Sequence, residues 1–365
     1  MASTQHLNYG LIGCGMMGQE HLRNIALLDN TNVTTIFEPD AGMRATAATL
    51  TPNARFVDGI DAVITDPDVD CLVITSPNHL HLEQIERIAE LGAKPLLVEK
   101  PLYTDPREAA RVAALQRTYP APIWVAMEYR YMPAITQFLD QVNSATGGIK
   151  MLTIREHRFP FLEKVGNWNR FNRNSGGTLV EKCCHFFDLM RHAMQSEVVR
   201  VMASAGQTNN HLDECYEGAV PDIWDNGYVI LDFANGSRAM LELCMFAEGS
   251  RYQEKISAIG PSGMIEANVP GPGRFWNPAA GPAPIAELIT SPRASQRPIH
   301  TPVDVDPALL AAGDHNGATF YQHQKFAAVA RGAGQPEVGL MDGAKAVAIG
   351  LAAQESAATG MAVTL

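Results

Sequence analysis

A chain of 365 residues exceeds what a single hydrophobic core organises, so two domains are expected. Hydrophobic residues at 46% and charged residues at 18% provide the apolar area for packed cores and exclude a disordered chain. A formal net charge of -11, with no basic patch to offset it, excludes nucleic acid and anionic membrane as partners.

The opening segment, Met1 to Tyr9, is polar and lacks the basic start and apolar run of a secretory signal, and no later stretch would span a bilayer. A cytoplasmic protein is expected. Tyr9 to Ile12 reads as a first strand, Gln19 to Leu28 as a helix and Val33 to Phe37 as a second strand. Between the first strand and the helix lies Gly13-Cys14-Gly15-Met16-Met17-Gly18, the context a dinucleotide fingerprint requires. Gly13 permits a tight turn, Gly15 lets the backbone approach a pyrophosphate, and Gly18 lets helix and strand pack closely. The phosphate charge would sit at the helix N-terminus. A purely structural turn is the alternative.

Glu38 lies 20 positions beyond Gly18, at the end of the second apolar run. A carboxylate there accepts hydrogen bonds from ribose hydroxyls and repels a 2′-phosphate, which favours NAD over NADP. Arg44 would reach such a phosphate only if Glu38 turned away.

Cys71 to Thr75 is a continuous apolar run, typical of a strand buried on both faces. His79 to Leu91 carries Leu82, Ile85, Ile88 and Ala89 at helical spacing, and Leu96 to Val98 is a further strand. This alternation predicts a doubly wound parallel sheet, an α/β dinucleotide-binding domain over residues 1–126. Ligands bind beyond the carboxyl ends of such strands, where Ser76-Pro77-Asn78-His79-Leu80-His81 and Val98-Glu99-Lys100-Pro101 fall. Lys100 stands out because an ammonium beside the nicotinamide crevice would lower the cost of developing alkoxide charge. A solvated cation at a strand end is the bland alternative.

After about Ala126 the rhythm changes to longer strands: Met151 to Phe159, Val198 to Ala205, Tyr228 to Ala234, Ala239 to Phe246 and Tyr252 to Ile259. Asn235-Gly236 between two of them supplies the positive backbone angles of a two-residue hairpin, so adjacent antiparallel strands are expected. Residues 127–365 therefore predict an α+β domain with an open, mainly antiparallel sheet, one face covered by helices and the other free for a subunit interface.

Gly176-Gly177 opens a helical pattern in which Glu181, His185 and Asp188 fall at i, i+4 and i+7 on one stripe. Oxidation of a secondary alcohol needs a base for the hydroxyl proton, and His185 has the intrinsic pKa for it. Glu181 would orient the imidazole, bond a substrate hydroxyl or pair with Lys100; Asp188 reads as structural. The six cysteines lack paired metal-ligand spacing, and Cys183-Cys184-His185 diverges around a helix axis, so no metal and no disulfide framework are expected. Val269 to Pro307, rich in Pro, Gly and Ala, reads as a long functional or loosely ordered loop. Asp314 to Arg331 and Met341 to Thr359 return to helical patterns.

Taken together, the glycine fingerprint, Glu38-Pro39-Asp40, Ser76-Pro77-Asn78-His79-Leu80-His81, Glu99-Lys100-Pro101 and the Gly-Gly segment leading to His185 make the chain resemble the Gfo/Idh/MocA oxidoreductases, the family of glucose-fructose oxidoreductase and inositol dehydrogenase. The tail from Glu337 to Gly360, with Met341-Asp342-Gly343 and Gly350-Leu351-Ala352-Ala353-Gln354, is similar to the family's closing helix.

The resemblance implies an active site between the two domains and a homodimer or homotetramer joined through the open sheet. By this likeness Lys100 and His185 correspond to the catalytic lysine and histidine, and the Pro77, Asn78 and His81 neighbourhood to cofactor contacts, with Met16, Met17 and Glu99 alongside. Inositol dehydrogenases commonly carry Asp four residues before the catalytic His, whereas this chain has Glu181 and an adjacent Lys182, which moves the carboxylate by about one methylene. Tyr129, Arg130, Arg158, Trp168, Asn172 and His315 are further polar candidates for the substrate pocket.

NAD-dependent oxidation of a ring hydroxyl in a cyclitol or monosaccharide is the leading expectation. An NAD-dependent glycosidase or epimerase with transient sugar oxidation is a second. A nucleotide-sensing regulator without catalysis is a third, against which Lys100 and His185 argue.

Overall fold

The computed structural model describes residues 6–365, so part of the polar opening segment lies outside the described residues. Two sheets organise it. The first is built from β1 (Leu7–Ile12), β2 (Thr31–Phe37), β3 (Arg55–Val57), β4 (Cys71–Ile74), β5 (Leu96–Val98) and β6 (Ile123–Val125), all parallel, in the order β3-β2-β1-β4-β5-β6. Helices α1 (Met16–Ile25), α2 (Ala41–Leu50), α3 (Ile60–Ile64), α4 (His81–Leu91) and α5 (Ala109–Thr118) connect these strands. The order reverses between β1 and β4, which opens a crevice beyond their carboxyl ends.

Every residue of β4 is buried, as a strand covered by helices on both faces must be. Four of these elements carry weak sequence signals for identifiable reasons. β3 and β6 are three residues long, too short for a period to register, and β3 is partly exposed. α2 buries only Ala47, so its apolar stripe is thin, and α3 is barely one turn.

Beyond Val125 the chain passes through α6 (Pro133–Thr146) into β7 (Met151–His157), then α7 (Asn172–Ser175), α8 (Thr178–Glu181) and α9 (Cys184–Met194). Strands β8 (Val198–Gly206), β9 (Asn226–Phe233), β10 (Arg238–Cys244), β11 (Glu254–Gly260), β12 (Gly263–Val269), β13 (Ala286–Pro292) and β14 (Ile299–Val303) follow. The chain closes with α10 (Pro307–Ala312), α11 (Ala318–Ala330), α12 (Leu340–Thr359) and β15 (Val363–Thr364). The second sheet has nine strands in the order β14-β13-β12-β11-β7-β10-β9-β8-β15.

The sheet is mainly antiparallel, as expected; among the described residues β7 and β10 form its one parallel pair. Two other expectations need correction. The segment 269–307 is not one loop, because β13 and β14 form an edge hairpin within it. Pro292 and Pro302 and an exposed β14 disguise that hairpin, as edge strands tolerate both features. The turn between β9 and β10 has only Gly236 in the left-handed region, at φ +83°, while Asn235 is outside it. Gly236 N–H donates to the Phe233 carbonyl at 2.9 Å and Phe233 N–H to the Ser237 carbonyl at 3.0 Å, a three-residue loop rather than a two-residue one.

Helices α6, α9 and α12 pack on one face of the second sheet. The opposite face leaves Met151, Tyr228, Ile230 and Ile259 exposed. α12 also packs against α5 and β6, and α11 against α1, so the C-terminal helices hold the two sheets around the crevice. No helix among the described residues is long and apolar enough to cross a membrane.

Candidate active site

The floor of the crevice is the turn from β1 into α1. Gly13 has φ +84°, and a methyl group there would lie 2.8 Å from the Ser76 amide nitrogen. At Gly18 it would lie 2.8 Å from the Thr75 hydroxyl oxygen and 3.0 Å from the Gly13 carbonyl, so helix and strand touch through the missing side chain. Gly15 is different: a side chain there meets nothing within 4 Å. It precedes the first turn of α1, whose amides receive no side-chain cap. That open, donor-lined space suits an anion such as a pyrophosphate.

Glu38 follows β2 and is buried, with Oε2 accepting from Cys14 N–H at 2.5 Å and Oε1 from Asp40 N–H at 2.8 Å. Arg44 is turned away, bonding Asp58 at 3.2 Å and the Phe56 carbonyl at 3.3 Å. Met16, Met17, Pro77, Asn78, Glu99 and Lys100 line the same cavity of about 440 Å³, and the buried Asn78 Nδ2 has no partner. His81 does not reach it. Its ring is fully buried, with Nδ1 2.8 Å from the Pro101 carbonyl and Nε2 3.0 Å from the Ser76 carbonyl, so it braces the two loops that carry Asn78 and Lys100.

Lys100 reaches out of the first sheet, and its Nζ donates to the Glu181 carbonyl at 3.1 Å. Burial pulls its pKa down, but the neighbouring Cys184, Glu181, Glu99 and Glu128 outweigh that and raise it. The lysine is therefore cationic at neutral pH. Beneath it, Glu99 Oε1 lies 2.9 Å from His21 Nε2, and His21 Nδ1 lies 2.6 Å from His323 Nε2.

His185 is buried and stacks on Tyr129 with ring centroids 4.2 Å apart, and its Nδ1 has no partner. Burial first, then the positive charges of Lys100, Lys182, His315 and Arg158, hold its pKa well below the ordinary value, which keeps the imidazole neutral. The expected stripe of three polar groups does not form. The helix is interrupted at 182–183, and Asp188 turns to a buried ion pair with Arg130, at 2.5 and 2.6 Å. Glu181 instead faces Lys164, with Oε1 3.5 Å from its Nζ and Oε2 without a partner.

Other polar candidates scatter. Trp168 lines the crevice, with Lys164 Nζ 4.5 Å from its ring centroid. Arg130, committed to Asp188, and Asn172, bonded to Asp222, do not line it. Arg158 lies over Phe159 and 3.4 Å from Glu156. His315 bonds Glu20 at 2.8 Å.

Two lysines to which the sequence assigns no role stand close to these groups. Lys164 and its neighbours Glu163 and Val165 close over the crevice from the loop 158–171, which turns on Gly166 and Asn167 in left-handed conformation. Lys182 donates to the Tyr129 hydroxyl and pairs with Glu156 at 2.9 Å, which anchors the ring that His185 stacks on. The Gly166-Asn167 pair was a legible turn signal, but nothing local says what a turn will cover.

A family model described as oxidoreductase family, NAD-binding Rossmann fold, matches residues 7–127, and one described as oxidoreductase family, C-terminal alpha/beta domain, matches residues 143–365. The chain is 26% identical over 267 residues to inositol 2-dehydrogenase of Acidothermus cellulolyticus, covering 73% of this chain and 74% of that protein. Among solved structures, levoglucosan dehydrogenase in complex with NADH and levoglucosan superposes with a TM-score of 0.79 at 23% identity, covering 99% of both chains. A myo-inositol dehydrogenase from Corynebacterium glutamicum gives 0.75 at 23% identity, also over 99% of both.

Proposed function

The chain belongs to the Gfo/Idh/MocA oxidoreductase family, and from that premise we propose that it is an NAD-dependent dehydrogenase oxidising a secondary ring hydroxyl of a cyclitol or monosaccharide. One observation carries this reading: the Lys100 ammonium crosses from the first sheet to bond the Glu181 carbonyl, one turn before His185, at the edge of a glycine-floored crevice.

The residues present suit a dinucleotide. Gly13, Gly15, Gly18 and the uncapped first turn of α1 would hold the pyrophosphate, Glu38 the adenosine ribose, and Asn78 and Pro77 the nicotinamide half. When bound, the nicotinamide supplies a hydride acceptor. Lys100 lowers the cost of negative charge on the substrate oxygen as its proton departs. Neutral His185 accepts that proton. The unpartnered Glu181 Oε2 accepts a hydrogen bond from an adjacent hydroxyl, and Trp168 offers an apolar face to the ring. The names of the inositol and levoglucosan relatives support a polyol or sugar as substrate.

An absorbance screen of inositols, aldoses and anhydrosugars with NAD and with NADP tests the proposal. Steady NADH formation is expected with at least one of them, and NADP should be about tenfold or more poorer, equivalent to about 1.4 kcal/mol, because Glu38 repels a 2′-phosphate and Arg44 is engaged elsewhere. Cleavage of chromogenic glycosides without net NADH would move the reading to a redox-neutral glycosidase.

A smaller probe isolates the cradle. Gly13→Ala forces a side chain into the left-handed region, at about 1–2 kcal/mol, and drives its methyl into Ser76 backbone. NADH affinity by fluorescence titration should fall by about tenfold or more. Unchanged affinity would show that the turn does not cradle the cofactor.

A further inference from the structure

A cluster beside Tyr129 lies outside the lining of the glycine-floored crevice. Glu20 comes from α1, Glu128 from the short turn Glu128–Tyr131 that follows β6, and His315 from the loop between α10 and α11. Among the described residues, these three bring ligand atoms within 4.8 Å of one another. We propose that they bind one divalent transition-metal ion.

The geometry is that of a formed site. His315 Nδ1 lies 2.8 Å from Glu20 Oε1 and 3.6 Å from Glu128 Oε1. Zinc bonds of about 2.0–2.2 Å place tetrahedral ligand atoms about 3.3–3.5 Å apart, within the range these atoms span. The outer oxygens are already held: Asp314 N–H donates to Glu20 Oε2 at 3.1 Å, and the Thr319 hydroxyl reaches Glu128 Oε2 at 2.6 Å. Both Oε1 atoms are thereby turned toward the imidazole, the outer-sphere arrangement that orients carboxylate ligands around a metal.

A separate observation points to a missing partner. Glu128 is completely buried, and its Oε1 accepts no hydrogen bond. Thr319 cannot serve every oxygen, because its single proton lies within reach of both Glu128 Oε2 and Glu20 Oε1, the latter at 2.9 Å. A buried carboxylate oxygen left without a donor costs about 1–3 kcal/mol, which a coordinated cation removes.

Imidazole with two carboxylates suits zinc or manganese better than calcium, which takes oxygen alone. Glu20 also lines a second cavity of about 650 Å³, together with Asp314 and Asn316. The ion would tie α1 to the loop before α11. No local spacing signals this cluster, because Glu20 and His315 stand 295 positions apart.

The test is calorimetric titration of chelator-stripped protein with ZnCl2 and MnCl2, in a Cys215→Ser background that removes the exposed thiol. One equivalent should bind, raising Tm, with affinity falling at least about 100-fold in Glu128→Gln and His315→Asn. No saturable uptake by the parent, or undiminished uptake in both folded variants, overturns the proposal. If neither variant folds, electron spin echo spectra of the Mn2+-loaded parent decide: nitrogen modulation from one imidazole supports the site, and its absence overturns it.

Discussion

Lys100→Met is expected to abolish turnover, by at least about 10³-fold in kcat, while NADH still binds. The loss is this large because Lys100 is the cation whose Nζ bridges the two sheets at the crevice, through the Glu181 carbonyl. Its neighbours hold it protonated, so under the proposed function it would bring a fixed positive charge to the developing alkoxide. Methionine matches the volume of the stem and keeps the cavity closed, which separates loss of charge from loss of fold. Cofactor affinity should persist because the pyrophosphate cradle is built from backbone around Gly13 and Gly15. A Met variant with undiminished turnover would remove Lys100 from the chemistry.

His185→Asn should lower kcat by about 10²–10⁴-fold, the range expected when a positioned proton acceptor is lost. Asparagine retains polarity and some of the contact with Tyr129, on which the imidazole stacks. The pH dependence carries the sharper statement. Burial, then Lys100, Lys182, His315 and Arg158, depress the His185 pKa well below its ordinary 6.5. The base form therefore persists as pH falls through 6.5, and wild-type kcat/KM should show no loss of rate centred there. In Lys100→Met one positive neighbour is gone, so the His185 pKa rises and the acid limb of the residual activity moves to higher pH. An acid limb at 6.5 in the wild type, or one that does not move in the variant, would contradict His185 as the proton acceptor.

How much of this was legible beforehand depends on how local the constraint is. Gly13, Gly15 and Gly18 are readable because each meets a backbone requirement set by a turn of six residues, and all three lie where the motif puts them. β4, buried throughout, advertises itself as an uninterrupted apolar run. The hairpin of β13 and β14 does not, since an exposed edge strand needs neither alternation nor the absence of proline.

The site shows the same division. Glu181, His185 and Asp188 share a helical spacing, yet each is claimed by a different neighbour: Lys164 for Glu181, the Tyr129 ring for His185 and Arg130 for Asp188. Helical period sets the direction of a side chain but not what stands opposite. His81 illustrates the point: placed in the right loop by its motif, it faces two backbone carbonyls instead of the crevice.

The amino-acid order by itself thus determined the two-sheet architecture, the family and the dinucleotide turn, because periodicity and glycine geometry act over a few residues. Only the tertiary structure decided that Lys164 covers the crevice, that Lys182 anchors Tyr129, and that Glu20, Glu128 and His315 meet. Those contacts join segments far apart along the chain, and their energies come from burial and charge pairing that exist only once the two sheets have packed together.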